Sequence, residues 1–292
     1  MSGFTLFLLA ASVLCSTARA VFSKKLGISA AGKHEFCVMQ AKLFFFAAAE
    51  IFLLNIKGMC LPSAETLAFS GMYGVFTVLA QWLYTVALGR MAVSVCAMIY
   101  SFGFIIPTVF GTVVWRENVG FFKIFSVLFC IVTIVLSSVS SGENSKKTDF
   151  RAVLPLVISM AASGGLGVVQ KLQQKSACSS QTGIFLFEAF LLAGVISVIA
   201  ALTAKKAPVS PPKNGAESYI SVLIVGEAMA ASNTANTLLA GRLPSVIAFP
   251  VTNVGVILAS LLVSTLFLGE KITKKQVAAV CTGITAVIMF NF

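Results

Sequence analysis

The stretch ALGRMAVSVCAMIYSFGFIIP, at residues 87–107, has a counterpart in LAGRLPSVIAFPVTNVGVILA, at residues 239–259. The two stretches align without a gap at an offset of about half the chain. The matched positions include Gly89-Arg90 with Gly241-Arg242, Ser101 with Asn253, and Gly103 with Gly255. Both stretches begin where one apolar run ends and continue into the next run. The pattern predicts that the chain contains an internal repeat.

Matches on either side of these stretches extend the repeat. After one inserted residue, Arg116-Glu117 matches Gly269-Glu270, and each pair closes an apolar run. The first apolar run matches the sixth more weakly, with Ser12, Ser16 and Lys24 falling on Ser159, Ser163 and Lys171. We therefore predict a first repeat at residues 1–140, a polar linker at 141–150 and a second repeat at 151–292.

The composition decides the solvent in which the chain folds. Of the 292 residues, 58% are hydrophobic and only 11% are charged, whereas a soluble domain carries about 25% charged residues. So little charge cannot cover a water-soluble globule of this size, and lipid is the alternative. The apolar runs lack the alternation of barrel strands, so they predict membrane-spanning helices. The predicted class is an all-α membrane protein.

The apolar runs and their polar breaks predict about ten spans, each long enough to approach the roughly 20 residues that cross a bilayer. The predicted spans are 4–22, 36–56, 67–88, 92–114, 119–138, 153–172, 183–203, 219–240, 244–268 and 276–290. The first run imitates a secretory signal, but no Lys or Arg precedes it. We therefore expect it to remain as a helix of the mature protein.

An odd number of spans per repeat has a topological consequence. With five helices in the first half, the second half enters the membrane from the opposite side. Inverted repeats of this kind are common in secondary transporters, where the substrate site lies near the midplane between the halves. The sequence thus predicts alternating access between two similar units.

The segment LLVSTLFLGEKITKKQVAAVCTGITAVIMF, at residues 261–290, resembles the end of an EamA domain. Together with the repeat, it makes the whole chain similar to the EamA-like branch of the drug/metabolite transporter superfamily. The resemblance implies two EamA-type domains, ten helices, and export or exchange of a small organic metabolite or drug. The first half departs from this pattern, with Trp115-Arg116-Glu117 where the second half has Leu268-Gly269-Glu270.

Polar side chains within predicted spans are the candidates for a substrate pathway, because polar groups are costly in lipid. The set comprises Gln81, Tyr84, Tyr100, Ser101, Glu227, Asn233, Asn236, Thr252 and Asn253. Two prolines near them, Pro107 and Pro250, each free a backbone carbonyl and are expected to kink their helices. The competing interpretation of the polar residues is hydrogen bonding between helices.

Ionisable side chains raise the question of what drives transport. Small multidrug pumps of the same superfamily use a Glu in the first helix, but the first span here has no acid. Glu227 is the candidate proton carrier, ahead of Glu188 and Glu50, unless a Lys or Arg neutralises it. Arg19 could hold an anionic group of the substrate or extend to the membrane surface.

Other classes of function are poorly supported. The single histidine, His34, lies in a predicted loop, and no hydrolase, metalloprotease or P-loop motif occurs, so we expect no enzyme, metal or cofactor. The net charge of +11 lies mostly in loops, which fits contact with lipid headgroups and does not suggest nucleic-acid binding. A channel or a non-transporting membrane partner remains the alternative.

Location, orientation and assembly follow only in outline. A short chain suits a multi-pass protein of a bacterial plasma membrane. The distribution of Lys and Arg favours both termini outside, whereas the resemblance implies both inside. Ala279 and Gly283 have the spacing of small residues at a close helix contact, within the chain or in a homodimer.

Overall fold

The computed structural model describes residues 2–25, 32–88, 96, 99–117, 120–139, 153–204, 215–268 and 274–289. Within these ranges it contains ten α-helices and no strand. They are α1 (Gly3–Lys25), α2 (Lys33–Leu54), α3 (Ala64–Leu88), α4 (Ile105–Val114), α5 (Phe121–Val139), α6 (Val153–Lys175), α7 (Thr182–Thr203), α8 (Gly215–Arg242), α9 (Ser245–Leu268) and α10 (Lys274–Met289). A 3₁₀ turn, Phe102–Phe104, leads into α4.

The prediction of an all-α fold is confirmed, and each predicted span overlaps one of these helices. Five described stretches are long and apolar enough to cross a membrane: Lys33–Leu54, Ala64–Ala87, Val153–Lys175, Ser179–Thr203 and Ser245–Val263. The chain is an all-α membrane protein. The predicted linker 141–150, Gly89-Arg90 and Gly269-Glu270 lie outside the described residues.

Short polar side chains mark the helix boundaries. Ser63 precedes α3, and its Oγ accepts a hydrogen bond of 3.1 Å from the backbone N–H of Thr66. This bond satisfies one of the free donors at a helix start. At the end of α2, the Asn55 side chain donates to the carbonyl of Ile51 at 2.9 Å. At one helix start and one helix end, a polar side chain thus bonds to the backbone of the terminal turn.

Helix packing repeats between the two halves. In several packed pairs, when both helices are replaced by their equivalents, whose numbers differ by five, the new pair is also packed. Helix α1 packs on α8 as α6 packs on α3, and α1 packs on α9 as α6 packs on α4. Likewise α2 packs on α8 as α7 packs on α3. In three further pairs, a helix packs on its own equivalent: α2 with α7, α4 with α9, and α5 with α10.

Two glycines repeat this pattern at atomic detail. A Cβ at Gly103 would lie 2.9 Å from the carbonyl oxygen of Met160 in α6, and a Cβ at Gly255 would lie 2.7 Å from Val13 in α1. The sequence alignment matches Gly103 with Gly255, and the match of Ser12 with Ser159 places Val13 opposite Met160. Equivalent glycines therefore allow equivalent helices to approach closely.

Contacts between helix termini define two ends of the bundle. Lys171, near the end of α6, forms an ion pair with Glu117, which follows α4; we call this the Glu117 end. Arg242, at the end of α8, lies 4.6 Å from the ring of Phe4, at the start of α1. Because Glu117 also contacts Ser245, just after α8, helix α1 begins at the Glu117 end, where α6 terminates. Helices α1 and α6 therefore run in opposite directions.

The opposite end of the bundle is marked by the start of α2. There the Nδ1 atom of His34 lies 2.8 Å from the carbonyl oxygen of Ala201, near the end of α7. We call this the His34 end.

Two clusters of buried side chains hold the helices together. One cluster, which includes Phe44, Tyr73 and Phe185, joins α2, α3 and α7. The other includes Ile134 of α5 and Val254 of α9 and extends to α4 and α10.

The small residues of α10 pack within the chain. Ala279 is buried, and a Cβ at Gly283 would lie 3.1 Å from Val254 and 3.2 Å from Thr133. The spacing of Ala279 and Gly283 thus serves the contact of α10 with α5 and α9, and this face is not free for a homodimer.

Candidate functional site

A cavity of about 580 Å³ lies between the two buried clusters. Its walls come from α1, α2, α3, α6, α8 and α9, together with α4 and the turn before it. Both predicted repeats therefore contribute to it. The lining residues lie in the middle of their helices, from Ser12 to Arg19 in α1, from Tyr73 to Thr85 in α3 and from Ser163 to Gln170 in α6.

Eight of the nine predicted pathway residues line this cavity. They form four pairs at the repeat offset: Gln81 with Asn233, Tyr84 with Asn236, Tyr100 with Thr252, and Ser101 with Asn253. Arg19 and Pro107 line it as well. The structure thus brings equivalent positions of the two halves to one space, although they are far apart in sequence.

Glu227 is the predicted pathway residue that the structure does not bring to the cavity. Its side chain is exposed and is absent from the lining, although it shares α8 with Asn233. Asn233 follows Glu227 by six positions, so the two side chains point about 120° apart around the helix. The side chains of Asn233 and Asn236 are only about 60° apart. Its neighbour across the helix contact is the carboxyl group of Glu50 in α2. Pro250 is buried inside α9 and does not line the cavity either.

Hydrogen bonds in the cavity wall join the two halves. The Tyr73 hydroxyl donates to Asn233 Oδ1 at 2.6 Å, and Gln170 Nε2 donates to the same hydroxyl at 3.1 Å. Ser12 Oγ donates to Asn236 Oδ1 at 2.5 Å. These bonds orient the two amides of α8 from α1, α3 and α6, so the wall is built by side chains of both repeats.

The polar wall residues that the sequence prediction missed include Tyr73, Gln170 and Gln40. Tyr73 precedes Gln81 and Tyr84 by eight and eleven residues, spacings that return to nearly the same face of a helix. That periodicity could have found it. Gln40 and Gln170 are amides inside apolar runs, the same kind of signal that selected Gln81.

A buried amide and an aromatic surface form part of the cavity wall. Gln40 is only 3% exposed, and its Oε1 has no hydrogen-bond partner among the described residues. The rings of Tyr84, in α3, and Tyr100, just before the turn that leads into α4, lie 4.9 Å apart at an angle of 55°. Together they form an aromatic surface. A buried acceptor without a donor is costly, and because this oxygen is enclosed, the aromatic surface is the part that a solute in the cavity meets.

Arg19 is the one charged residue among the described lining residues. It also lines a second, smaller cavity of about 110 Å³ that shares Gln81, Tyr100 and Asn233 with the main one. The small cavity is an alcove beside the larger space, and Arg19 borders both. The electrostatic character of the site is therefore positive.

A buried ion pair lies at the Glu117 end of the bundle. Lys171 Nζ lies 2.9 Å from Glu117 Oε1, and the two side chains are 2% and 11% exposed. Lys171 also donates to the carbonyl of Leu243 at 2.7 Å, and the backbone N–H of Ser245 donates to Glu117 Oε2 at 2.6 Å. The end of α4, the end of α6 and the junction of α8 with α9 are thus held together.

The comparisons with known proteins show the fold alone. A protein of known crystal structure is similar with a TM-score of 0.82 and 13% sequence identity, over 100% of this chain and 99% of that one. No family model matches the chain. No curated protein matches it either.

Proposed function

We propose that this protein is a secondary transporter that crosses the membrane ten times as two inverted, EamA-like five-helix repeats. It carries a small organic metabolite or drug by alternating access, at the plasma membrane of a bacterium. The observation that carries the proposal is the cavity: four repeat-related pairs of side chains line one space between the two halves. The opposite directions of α1 and α6 support the inverted arrangement.

Asymmetry between the halves supports alternating access. Helices α6 and α8 pack together, as do α5 and α9, but their counterparts α1 with α3 and α4 with α10 are not among the packed pairs of the described helices. In a symmetric molecule each of these pairs would be as close as its counterpart. The packed α6–α8 pair belongs to the Glu117 end, so exchanging the two arrangements would pack α1 on α3 at the His34 end instead. The same solute would then meet the opposite side of the membrane.

A ligand screen on the purified, detergent-solubilised protein tests whether the cavity binds solutes. The melting temperature is measured against a panel of metabolites and drugs, for the wild type and for Asn253→Ala. A ligand at about 100 times its Kd stabilises the folded state by about 2.7 kcal/mol, which gives a visible shift. We expect one chemical class to stabilise the wild type and to lose its effect in Asn253→Ala.

The control is Thr285→Ala, which removes a polar side chain from the exposed side of α10. It should keep the ligand response of the wild type. Stabilisation that persists in Asn253→Ala would locate binding outside the cavity. A panel with no effect on any variant would count against a carrier and favour a non-transporting membrane partner.

A further inference from the structure

We infer that the transported solute is a small organic anion, whose carboxylate or phosphate group is bound by Arg19. This inference rests on the proposed function, because it names the substrate class of the same cavity. It starts from the placement of Arg19 in the middle of a polar wall, bordering both the main cavity and its alcove.

Among the residues that the structure describes, Arg19 has no counter-ion. No ion pair or hydrogen bond joins its side chain to another described residue, and no carboxylate occurs among the described lining residues. The buried Lys171, by contrast, is paired with Glu117. A charge inside a membrane protein is costly unless something neutralises it, and an anionic solute would provide the missing partner.

The neighbours of Arg19 suit an anion. Gln81 and Tyr100 line the alcove with it and carry an amide N–H and a hydroxyl, which can donate to the remaining oxygens of a carboxylate or phosphate. Guanidinium binds both groups through paired, charge-assisted hydrogen bonds. The alcove, at about 110 Å³, has room for such a head group but not for a whole metabolite.

The main cavity indicates what the rest of the solute looks like. The rings of Tyr84 and Tyr100 offer a face for a planar or apolar body. A cation would meet the charge of Arg19 with no acid in the described wall to compensate, and is disfavoured.

Matched pairs of ligands that differ in charge but little in shape test the inference. The pairs are benzoate and benzamide, 4-hydroxybenzoate and 4-hydroxybenzamide, phenyl phosphate and phenyl sulfamate, and gluconate and gluconamide. Binding to the detergent-solubilised protein is measured by melting temperature and by titration calorimetry. We expect at least one anion to bind at least tenfold more tightly than its neutral twin, and the preferred head group distinguishes carboxylate from phosphate.

Two variants attribute that preference to Arg19. Arg19→Gln should abolish the difference between anion and twin, whereas Arg19→Lys, which keeps the charge, should restore part of it. Arg242→Gln, an exposed arginine at the Glu117 end, is the control and should keep the wild-type preference. Binding of neutral twins by all four proteins shows that each is folded.

The outcomes separate this inference from the proposed function. If neutral or cationic solutes bind as well as anions, or if Arg19→Gln keeps the preference for anions, the inference is overturned while a carrier remains supported. If no anion of the panel binds better than its twin, the inference is likewise overturned. The proposed function fails separately, when solutes bind but are not exchanged across a membrane.

Discussion

The carboxylate of Glu117, in the first half of the chain, makes three contacts, all with residues of the second half. It pairs with Lys171 and accepts hydrogen bonds from the backbone N–H and, at 3.3 Å, from the hydroxyl of Ser245. It thereby satisfies a free donor at the start of α9 and neutralises a buried ammonium group. Gly111 permits this approach, since a Cβ there would lie 2.6 Å from Ser245 and 2.8 Å from Glu117.

Glu117→Gln should therefore destabilise the protein. The amide can still bond to Ser245, but it leaves Lys171 charged and buried, and breaking one side of a buried pair costs about 3–5 kcal/mol. The measurement is thermal unfolding in detergent. The double variant Glu117→Gln, Lys171→Met removes the stranded charge and should recover a large part of the loss. Equal stability of the single and double variants would contradict a paired, buried Lys171.

Arg116 shows where the first repeat departs from the second. Its φ angle is 49°, in the left-handed region, and the matching residue of the second half is Gly269. Left-handed backbone costs a residue with a Cβ roughly 1–2 kcal/mol, and glycine avoids that cost. The departure noted in the sequence is thus a substitution at a turn that favours glycine.

Arg116→Val should lower stability by about 1 kcal/mol, because β-branched residues are the least tolerant of this backbone conformation. Arg116→Gly should leave stability unchanged or raise it by up to about 1 kcal/mol. Both replace the same exposed side chain, so their difference isolates the backbone. Thermal unfolding of the two variants side by side checks this, and equal melting temperatures would mean that the turn is not strained.

At the scale of single residues, the sequence predicted much of the cavity wall because polar groups stand out in apolar runs. Gln81 and Asn233 could be found this way without knowing the fold. Glu227 satisfied the same criterion but points elsewhere, since residue type alone does not give the helix face. The pairing of Lys171 with Glu117 could not be predicted, because it depends on three helix ends meeting.

Close approach of α4 to α6 depends on Gly103, and Gly103→Ala tests it. The added methyl group would lie 2.9 Å from a backbone carbonyl of α6 that cannot rotate away, so we expect a loss of about 1–3 kcal/mol. The matched control is Gly71→Ala in α3, where nothing lies within 4 Å. In the control, the better helix propensity of alanine should stabilise by up to about 1 kcal/mol.

Thermal unfolding of both glycine variants gives the comparison. Gly103→Ala as stable as the control would show that α4 and α6 are not in close contact. Ligand binding by Gly103→Ala should also weaken, since Gly103 lines the cavity.

Helices could be predicted from sequence more reliably than their packing. Lipid allows only backbone that satisfies its own hydrogen bonds, so each apolar run predicted a helix, and α7, for example, begins and ends within a residue of its predicted span. Around α4 the chain is less regular, because Pro107 cannot bond to the carbonyl of Gly103 and a 3₁₀ turn precedes it. Which faces meet had to come from the structure.

For the whole molecule, the repeat predicted two equivalent halves but not which end of the cavity is closed. Under the proposed alternating access, one sequence must stabilise two arrangements of the helices, so its pattern does not reveal which end is closed. The structure shows α6 and α8 packed together and a buried ion pair at the Glu117 end. Contacts such as that between Lys171 and Glu117 distinguish the halves, and they depend on the conformation.

Solute exchange in proteoliposomes tests the central claim, that the cavity carries a solute across the membrane, most directly. Vesicles containing the purified protein are loaded with the stabilising ligand, and uptake of labelled ligand from outside is followed over time. We predict saturable uptake that the internal ligand accelerates and that Asn233→Ala abolishes. Uptake that rises linearly with concentration would indicate a channel, and binding without any exchange would contradict a transporter.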